Sequence, residues 1–456
     1  MRARYRPSWS DGAVASSWAA PILVALTLSG FWLYLGALDL VGREPFSALT
    51  AAYYAGVGLA MVAAAWSTRH VLRERLRSGT HEFWAWALSA ATLGAWFLVT
   101  AVARSDGTYA RDAAILLVIS TLPSALLILL LKGGSFERFG IALVGLGLLF
   151  ASLDAIVLAL QDERSARFTP IHLLNPISAA QVTALGAVAC VALNPASSRG
   201  RLAQGAAFGL LVAASIVPAS RGVILALAVA LLAVLLLVPR RALRLLPALA
   251  LGVLLGLFAA GYSGSSYYLG FGLPLVDDEA PPTGPDFSGV RGSPTALAAE
   301  ESISTVAIRR YLVKKALRAV PEAPLLGHGV GALVDDSPEA RRMIRSGELD
   351  AEETRTYPHN VFVEAAYSLG LLGLVPLLAC VALTARALVR IVRRAREGAT
   401  TTLAVALVAF AAVSANVSGA LGSDAYFWVA LALPIGIDAA QQSRARGPAA
   451  GEAPTA

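Results

Sequence analysis

Charge is scarce in this chain. Asp, Glu, Lys and Arg make up 15% of its 456 residues, against about a quarter in an ordinary soluble domain. So few charges cannot clothe a water-exposed surface, which excludes a soluble enzyme, a disordered chain and a fibrous repeat. Cysteine is also rare: Cys190 and Cys380 stand far apart inside apolar runs, so no disulfide framework is expected. The five histidines are scattered, and without a Cys or His cluster at ligand spacing no metal site is expected either. What fills the chain instead is apolar residue, 57% of the total, with a mean hydropathy of +0.65. Because a bilayer core takes about 20 apolar residues per helix, this is the composition of a polytopic membrane protein. The first apolar run has no small-residue cleavage site after it and reads as a retained start-transfer helix.

Apolar runs between polar breaks predict an all-α protein of about twelve membrane helices, near 17–38, 46–66, 83–103, 112–131, 140–160, 178–194, 203–219, 221–238, 245–261, 360–384, 401–419 and 424–440. The seventh and eighth are divided only by Pro218 and the polar stretch that follows. Alternate short connections carry 21 Lys and Arg on one side and 6 on the other. The positive-inside rule therefore puts both termini in the cytoplasm. Four regions result: 1–261 with helices one to nine, a large extracytoplasmic loop at 262–358, 359–440 with helices ten to twelve, and a short tail at 441–456.

The 97-residue loop is the exception among short connections, and long loops in compact proteins are usually functional. Its first part is rich in Pro and Gly. In its second part, 302–320, Ile303, Val306, Ile308, Leu312, Val313, Ala316, Leu317 and Val320 approximate a helical stripe, with Arg309, Arg310, Lys314, Lys315 and Arg318 on other faces. That pattern predicts a basic amphipathic helix on or near the outer membrane face. The plain alternative is a solvated loop helix.

Three outer features can carry chemistry. Arg221 follows the Pro218-Ala219-Ser220 break and opens an apolar helix. It either snorkels to headgroups or presents its donor fork, beside free helix amides, to a diphosphate. After the basic helix comes Gly327-His328-Gly329-Val330-Gly331, whose glycines allow backbone to approach a ligand or another helix. The preceding element is helical, so dinucleotide binding is excluded. Last, Tyr357-Pro358-His359-Asn360 heads helix ten, with Glu364 about one turn on. An imidazole at a membrane surface is an interfacial hydrogen-bonding group or a proton acceptor near neutral pH. Intramembrane carboxylates are functional suspects by default. Asp154, Asp424, His328 and His172 are secondary candidates.

Taken together, these residues resemble the O-antigen ligase and polymerase-like membrane glycosyltransferases. Ser220-Arg221-Gly222 is similar to that family's Ser-Arg-Gly at an outer helix start. Arg309 through Pro324-Leu325-Leu326-Gly327-His328-Gly329-Val330-Gly331 is similar to its arginine helix and Gly-rich run. His359-Asn360, with Glu364, Gly370 and Gly373, is similar to its His-Asn helix. Val313 stands where the family pattern has Trp, and Arg310 beside Arg309 leaves two registers for the second arginine. The resemblance implies a GT-C-like architecture and glycan transfer from an undecaprenyl-diphosphate carrier to a lipid or glycan acceptor hydroxyl. The site would face outward from the bacterial cytoplasmic membrane and use neither metal nor cofactor. It also implies His359 as base, Arg221 and Arg309 as diphosphate clamps, and Arg310, Glu364, Asn360, Gly327 and Gly329 as substrate-binding residues. The competing class is a twelve-helix transporter or flippase, although the halves of the chain are not visibly similar and the arginines lie at the boundary, not the midplane. The net charge of +7 mostly reports orientation, because the outer loop is itself acidic by four charges, and nucleic acid is not implied.

Overall fold

The computed structural model describes residues 18–26, scattered positions between 56 and 73, and 80–103, 108–160, 176–262, 309–335, 355–417, 419–422 and 424–445. Most of the first two expected spans, the first part of the outer loop, His172 and the tail beyond 445 lie outside the described residues.

The protein is an all-α membrane protein. In chain order its helices are α1 (His81–Ala103), α2 (Thr108–Leu116), α3 (Leu122–Leu129), α4 (Ser135–Leu160), α5 (Pro176–Ala192), α6 (Ser198–Ile216), α7 (Arg221–Leu237), α8 (Pro239–Arg244) and α9 (Leu246–Tyr262). After the outer loop helix α10 (309–319) come α11 (Val361–Glu364), α12 (Gly370–Ala395), α13 (Ala399–Val417) and α14 (Ala425–Ala445). A π-helical turn, Leu117–Thr121, joins α2 to α3, and another, Ala365–Leu369, joins α11 to α12. Among the described residues, four stretches are long and apolar enough to cross a membrane: His81–Ala103, Ser135–Ile156, Val361–Ala395 and Ala399–Val417. The weakly separated pair at 203–238 is two helices: α6 ends at Ile216, and Pro218 is followed by Ala219 at φ +54° before α7 begins.

Packing follows from residue size. Trp86, Phe97, Phe139, Phe208, Phe410 and Trp428 are fully buried between helices. Where large side chains are absent, backbones close up. On α9 the buried positions are Gly252, Gly256 and Ala260, a small-residue stripe at four-residue spacing that lies on Gly209 and Ala213 of α6. A Cβ at Gly252 would come within 2.4 Å of the Gly209 carbonyl oxygen. Close approach of this kind is how helices associate where lipid removes the hydrophobic drive. The opposite face of α9 shows Leu254 and Phe258 at 65% and 75% exposure, as a lipid-facing surface requires.

Polar contacts orient the bundle. Asp438 on α14 is buried and accepts from Arg390 (2.7 Å) and Arg394 (2.7 Å) of α12, while Glu82 at the head of α1 pairs with Arg390 at 3.3 Å. Just past α7, Arg241 donates to Thr402 near the start of α13 at 3.3 Å. α7 and α13 therefore run antiparallel, and Arg221 at the start of α7 stands at the end where α13 finishes. The two ends of the bundle are accordingly the Arg390 end and the His359 end.

Candidate functional site

The site is built on a broken helix. At Gly370 the backbone takes φ +62°, ψ −158°, a conformation open to glycine, and the helix from α11 to α12 loses its hydrogen-bond register. Freed carbonyls at membrane depth need partners, and each finds one outside its own helix. Tyr367 O accepts from His328 N (2.8 Å) and Ser368 O from Gly329 N (3.0 Å). Leu369 O accepts from the Trp96 indole of α1 (2.9 Å). Past the break, Leu371 N and Leu372 N donate to Pro324 O (2.8 Å) and Leu325 O (3.2 Å).

The Gly-rich run is thus docked, backbone to backbone, onto the break. Gly327, Gly329 and Gly331 have φ of +69°, +104° and +74°. A Cβ on Gly327 would lie 2.4 Å from the Ser368 carbonyl, and one on Gly370 would lie 2.5 Å from Leu325 O. Of the two uses open to these glycines, approach to a helix is the one visible. His328 stacks on Tyr367 with ring centroids 4.6 Å apart and its Nε2 lies 2.8 Å from Ala319 O.

The loop helix α10 continues this docking. Its buried residues Leu312 and Ala316 pack with Leu333, Tyr367 and Val363. Two residues of the expected stripe are thus used against protein, while Leu317 stays 51% exposed. Arg310, Lys314 and Arg318 are exposed, and Lys315 donates to Val334 O at 2.9 Å. After the Gly-rich run, β1 (Leu333–Val334) pairs antiparallel with β2 (Arg355–Thr356), which delivers the chain to Tyr357.

There the segment between α13 and α14 forms a floor. Arg309 Nη1 donates to Val417 O (3.1 Å). Asn360 caps α11 by accepting from Phe362 N (3.1 Å) and Val363 N (3.0 Å), and donates to Asn416 Oδ1 (3.0 Å). Glu364, buried, accepts from Leu421 N at 2.7 Å, and Asp424 accepts from Ala420 N at 2.8 Å. Beneath them Gln181 of α5 donates to Tyr426 (2.7 Å) and Ser414 (3.1 Å).

His359 sits over this floor, half-buried, at φ +55°, with its ring 4.3 Å from that of Tyr357. Burial, helped by the Arg309 charge, pushes its pKa down from 6.5 to about 4. The imidazole is therefore neutral throughout the physiological range. Burial pushes the Tyr357 hydroxyl up, and the carboxylates of Asp424 and Glu364 add to it while Arg309 opposes.

Arg309, Asn360 and Glu364 are thus brought together through Val417, Asn416 and Leu421, with His359 next to Asn360 in the chain. Arg221 occupies the same end of the bundle, exposed at the first turn of α7; Ser220 before it makes no side-chain cap. Asp154 of α4 is buried, and among the described residues neither carboxylate oxygen has a hydrogen-bond partner. Sequence reasoning singled out Asp424 but missed Asn416, Val417, Leu421 and Trp96. The floor offered one signal, the polar break Asn416 to Asp424 between two apolar runs.

Residues 206–378 match the family described as O-antigen ligase, a segment that holds Arg221, Arg309, the Gly-rich run and the His359 turn. Over that segment the chain is O-antigen ligase-like. No curated protein matches the chain.

Proposed function

From an O-antigen ligase-like segment as premise, we propose that this protein transfers a glycan from an undecaprenyl-diphosphate carrier to an acceptor hydroxyl at the outer face of the bacterial cytoplasmic membrane. In this reading about twelve helices span the membrane and both termini are cytoplasmic, as the 21 to 6 distribution of cations argues. The site residues at the His359 end then face outward, with 262–358 as an extracytoplasmic loop.

The observation that carries the reading is a neutral imidazole held beside a fixed guanidinium: His359, with its pKa near 4, within the field of Arg309. A sugar hydroxyl is a weak nucleophile until its proton is removed during attack, which neutral imidazole does. The oxygen bonds to the anomeric carbon as the bond from that carbon to the diphosphate breaks. The electron pair leaves with the diphosphate, and the proton rests on the imidazole. Arginine remains ionised at any relevant pH, so Arg221 and Arg309 meet the charge developing on the leaving group. A bound diphosphate also raises the basicity of His359 by opposing the Arg309 field, so the base strengthens as the donor arrives.

Asn360 and Glu364 act as positioning residues, one capping the helix behind His359 and the other holding Leu421. Arg310, exposed beside Arg309, binds the carrier or its sugars. The Gly-rich run supports the wall through Gly327 and Gly329.

The test is transfer in vitro by purified protein from a defined undecaprenyl-diphosphate oligosaccharide. A ladder of products marks a polymerase, and a single addition to an added lipid or glycan acceptor marks a ligase. Transport of the lipid-linked glycan across vesicles with no transfer product would overturn the reading in favour of a flippase.

A further inference from the structure

At the Arg390 end, far from His359, a cleft of about 440 Å³ opens where α7, α8 and α12 end. Four arginines line it, Arg240, Arg241, Arg244 and Arg396, against one carboxylate, Glu397. Two of the four are anchored. Arg241 donates to Ala192 O (3.1 Å), Thr402 Oγ1 (3.3 Å) and Glu397 O (2.9 Å). Arg396 donates to Leu237 O (3.0 Å) and Leu236 O (3.1 Å). Both thus rest on C-terminal helix carbonyls, where a cation is favoured, and form a rigid base.

The other two have no such duty. Arg240 and Arg244 lie one turn apart on α8, exposed, and among the described residues neither makes a hydrogen bond or ion pair. Orientation in the membrane needs only their number on one side, not their convergence on one cleft. The remaining wall is Leu237, Val238 and Pro239 with one neutral polar residue, Asn194. The adjoining surface carries Leu236 and Leu243 at 69% and 51% exposure, so the cleft lies beside lipid-facing side chains.

We propose that this cleft binds the phosphodiester headgroup of an anionic phospholipid, with its acyl chains along the Leu236 and Leu243 surface. The phosphate lies between the anchored pair and the Arg240 and Arg244 forks, and the glycerol lies on the apolar wall. The proposal rests on the chain being a membrane protein and not on glycan transfer.

The experiment uses the whole protein in nanodiscs of phosphatidylcholine, titrated with phosphatidylglycerol and read by native mass spectrometry. Wild type takes up phosphatidylglycerol saturably. Arg240→Ala with Arg244→Ala weakens it roughly tenfold or more, at about a kcal/mol per cation near the surface, and the Lys pair recovers much of it. Arg393→Ala, an exposed arginine at the same end but outside the cleft, leaves it unchanged. Unaltered uptake by the double variant overturns the proposal, as does an equal loss in Arg393→Ala, which marks a diffuse charge effect. Inorganic phosphate that displaces the lipid at millimolar concentration marks a site for soluble anions and overturns the lipid assignment. Should the double variant fold poorly in phosphatidylcholine, Arg244→Gln alone carries the same comparison.

Discussion

Two helix starts at the His359 end share one local grammar. In each, proline is followed by a residue of positive φ, then a polar residue in extended conformation, then a helix: Pro218-Ala219-Ser220-Arg221 and Pro358-His359-Asn360-Val361. They differ in where the candidate side chain stands. In the first it is the opening residue of the helix, and the strained position is filled by a buried alanine. In the second the strained residue is the histidine itself. The caps differ too. Asn360 takes two helix amides and reaches Asn416, whereas the Ser220 side chain caps nothing. One start is closed by the side chain of its own cap residue; the other lacks a side-chain cap from Ser220. The same backbone device thus carries two differently closed helix starts.

The comparison breaks most sharply at the reactive side chains. His359→Ala is expected to lower transfer by about 10²- to 10⁴-fold, the scale of general base catalysis, with helicity intact. A variant that folds and transfers at the wild-type rate removes His359 from the role of base. Arg221→Ala is expected to cost on the order of 10²- to 10³-fold, and Arg221→Lys somewhat less, because ammonium lacks the planar fork. An equal effect of both on carrier binding, with no change in turnover, would make Arg221 a simple headgroup anchor.

A smaller effect concerns pH. With the His359 pKa near 4 and its unfolded value at 6.5, the unfolded chain binds the extra proton first. Stability is therefore lost as pH falls from 6.5 toward 4 and is unaffected by His359 above that window. In kinetics, the acid limb of kcat/KM for the free enzyme is expected near pH 4, and Arg309→Ala should move it upward by removing a repelling charge. A wild-type limb at 6.5 contradicts the burial of the ring.

The smallest effect separates the caps. Asn360→Ala should destabilise by about 1 kcal/mol, whereas Ser220→Ala should stay within a few tenths, as thermal unfolding in matched detergent will show. Equal losses would mean that the two starts are closed alike.

Much of this was legible in the sequence, for particular reasons. Among the described residues the helices from 81 on lie where the apolar runs are, and the two starts announced themselves as polar breaks with proline. Other features were hidden because a one-dimensional pattern does not name a partner. The stripe containing Leu312 and Ala316 specifies an apolar face, but lipid and Tyr367 satisfy it equally. Gly327 and Gly329 specify close approach without saying to what. Glu364 reads as an acid that could tune His359 or pair with an arginine of a neighbouring helix, until the amide of Leu421, 57 residues on, is folded against it. The stripe Gly252, Gly256, Ala260 was written in plain spacing, yet only α6 shows what it was for.

The break at Gly370 has a consequence for how the protein is made. The carbonyls of Tyr367, Ser368 and Leu369 take their donors from residues 328, 329 and 96, all synthesised earlier. The bilayer supplies none of these donors, so this helix cannot be completed by partitioning into lipid. Its final turn is completed only by docking of the Gly-rich run and Trp96, so maturation of the helix bearing Glu364 becomes a checkpoint that closes once that docking is made.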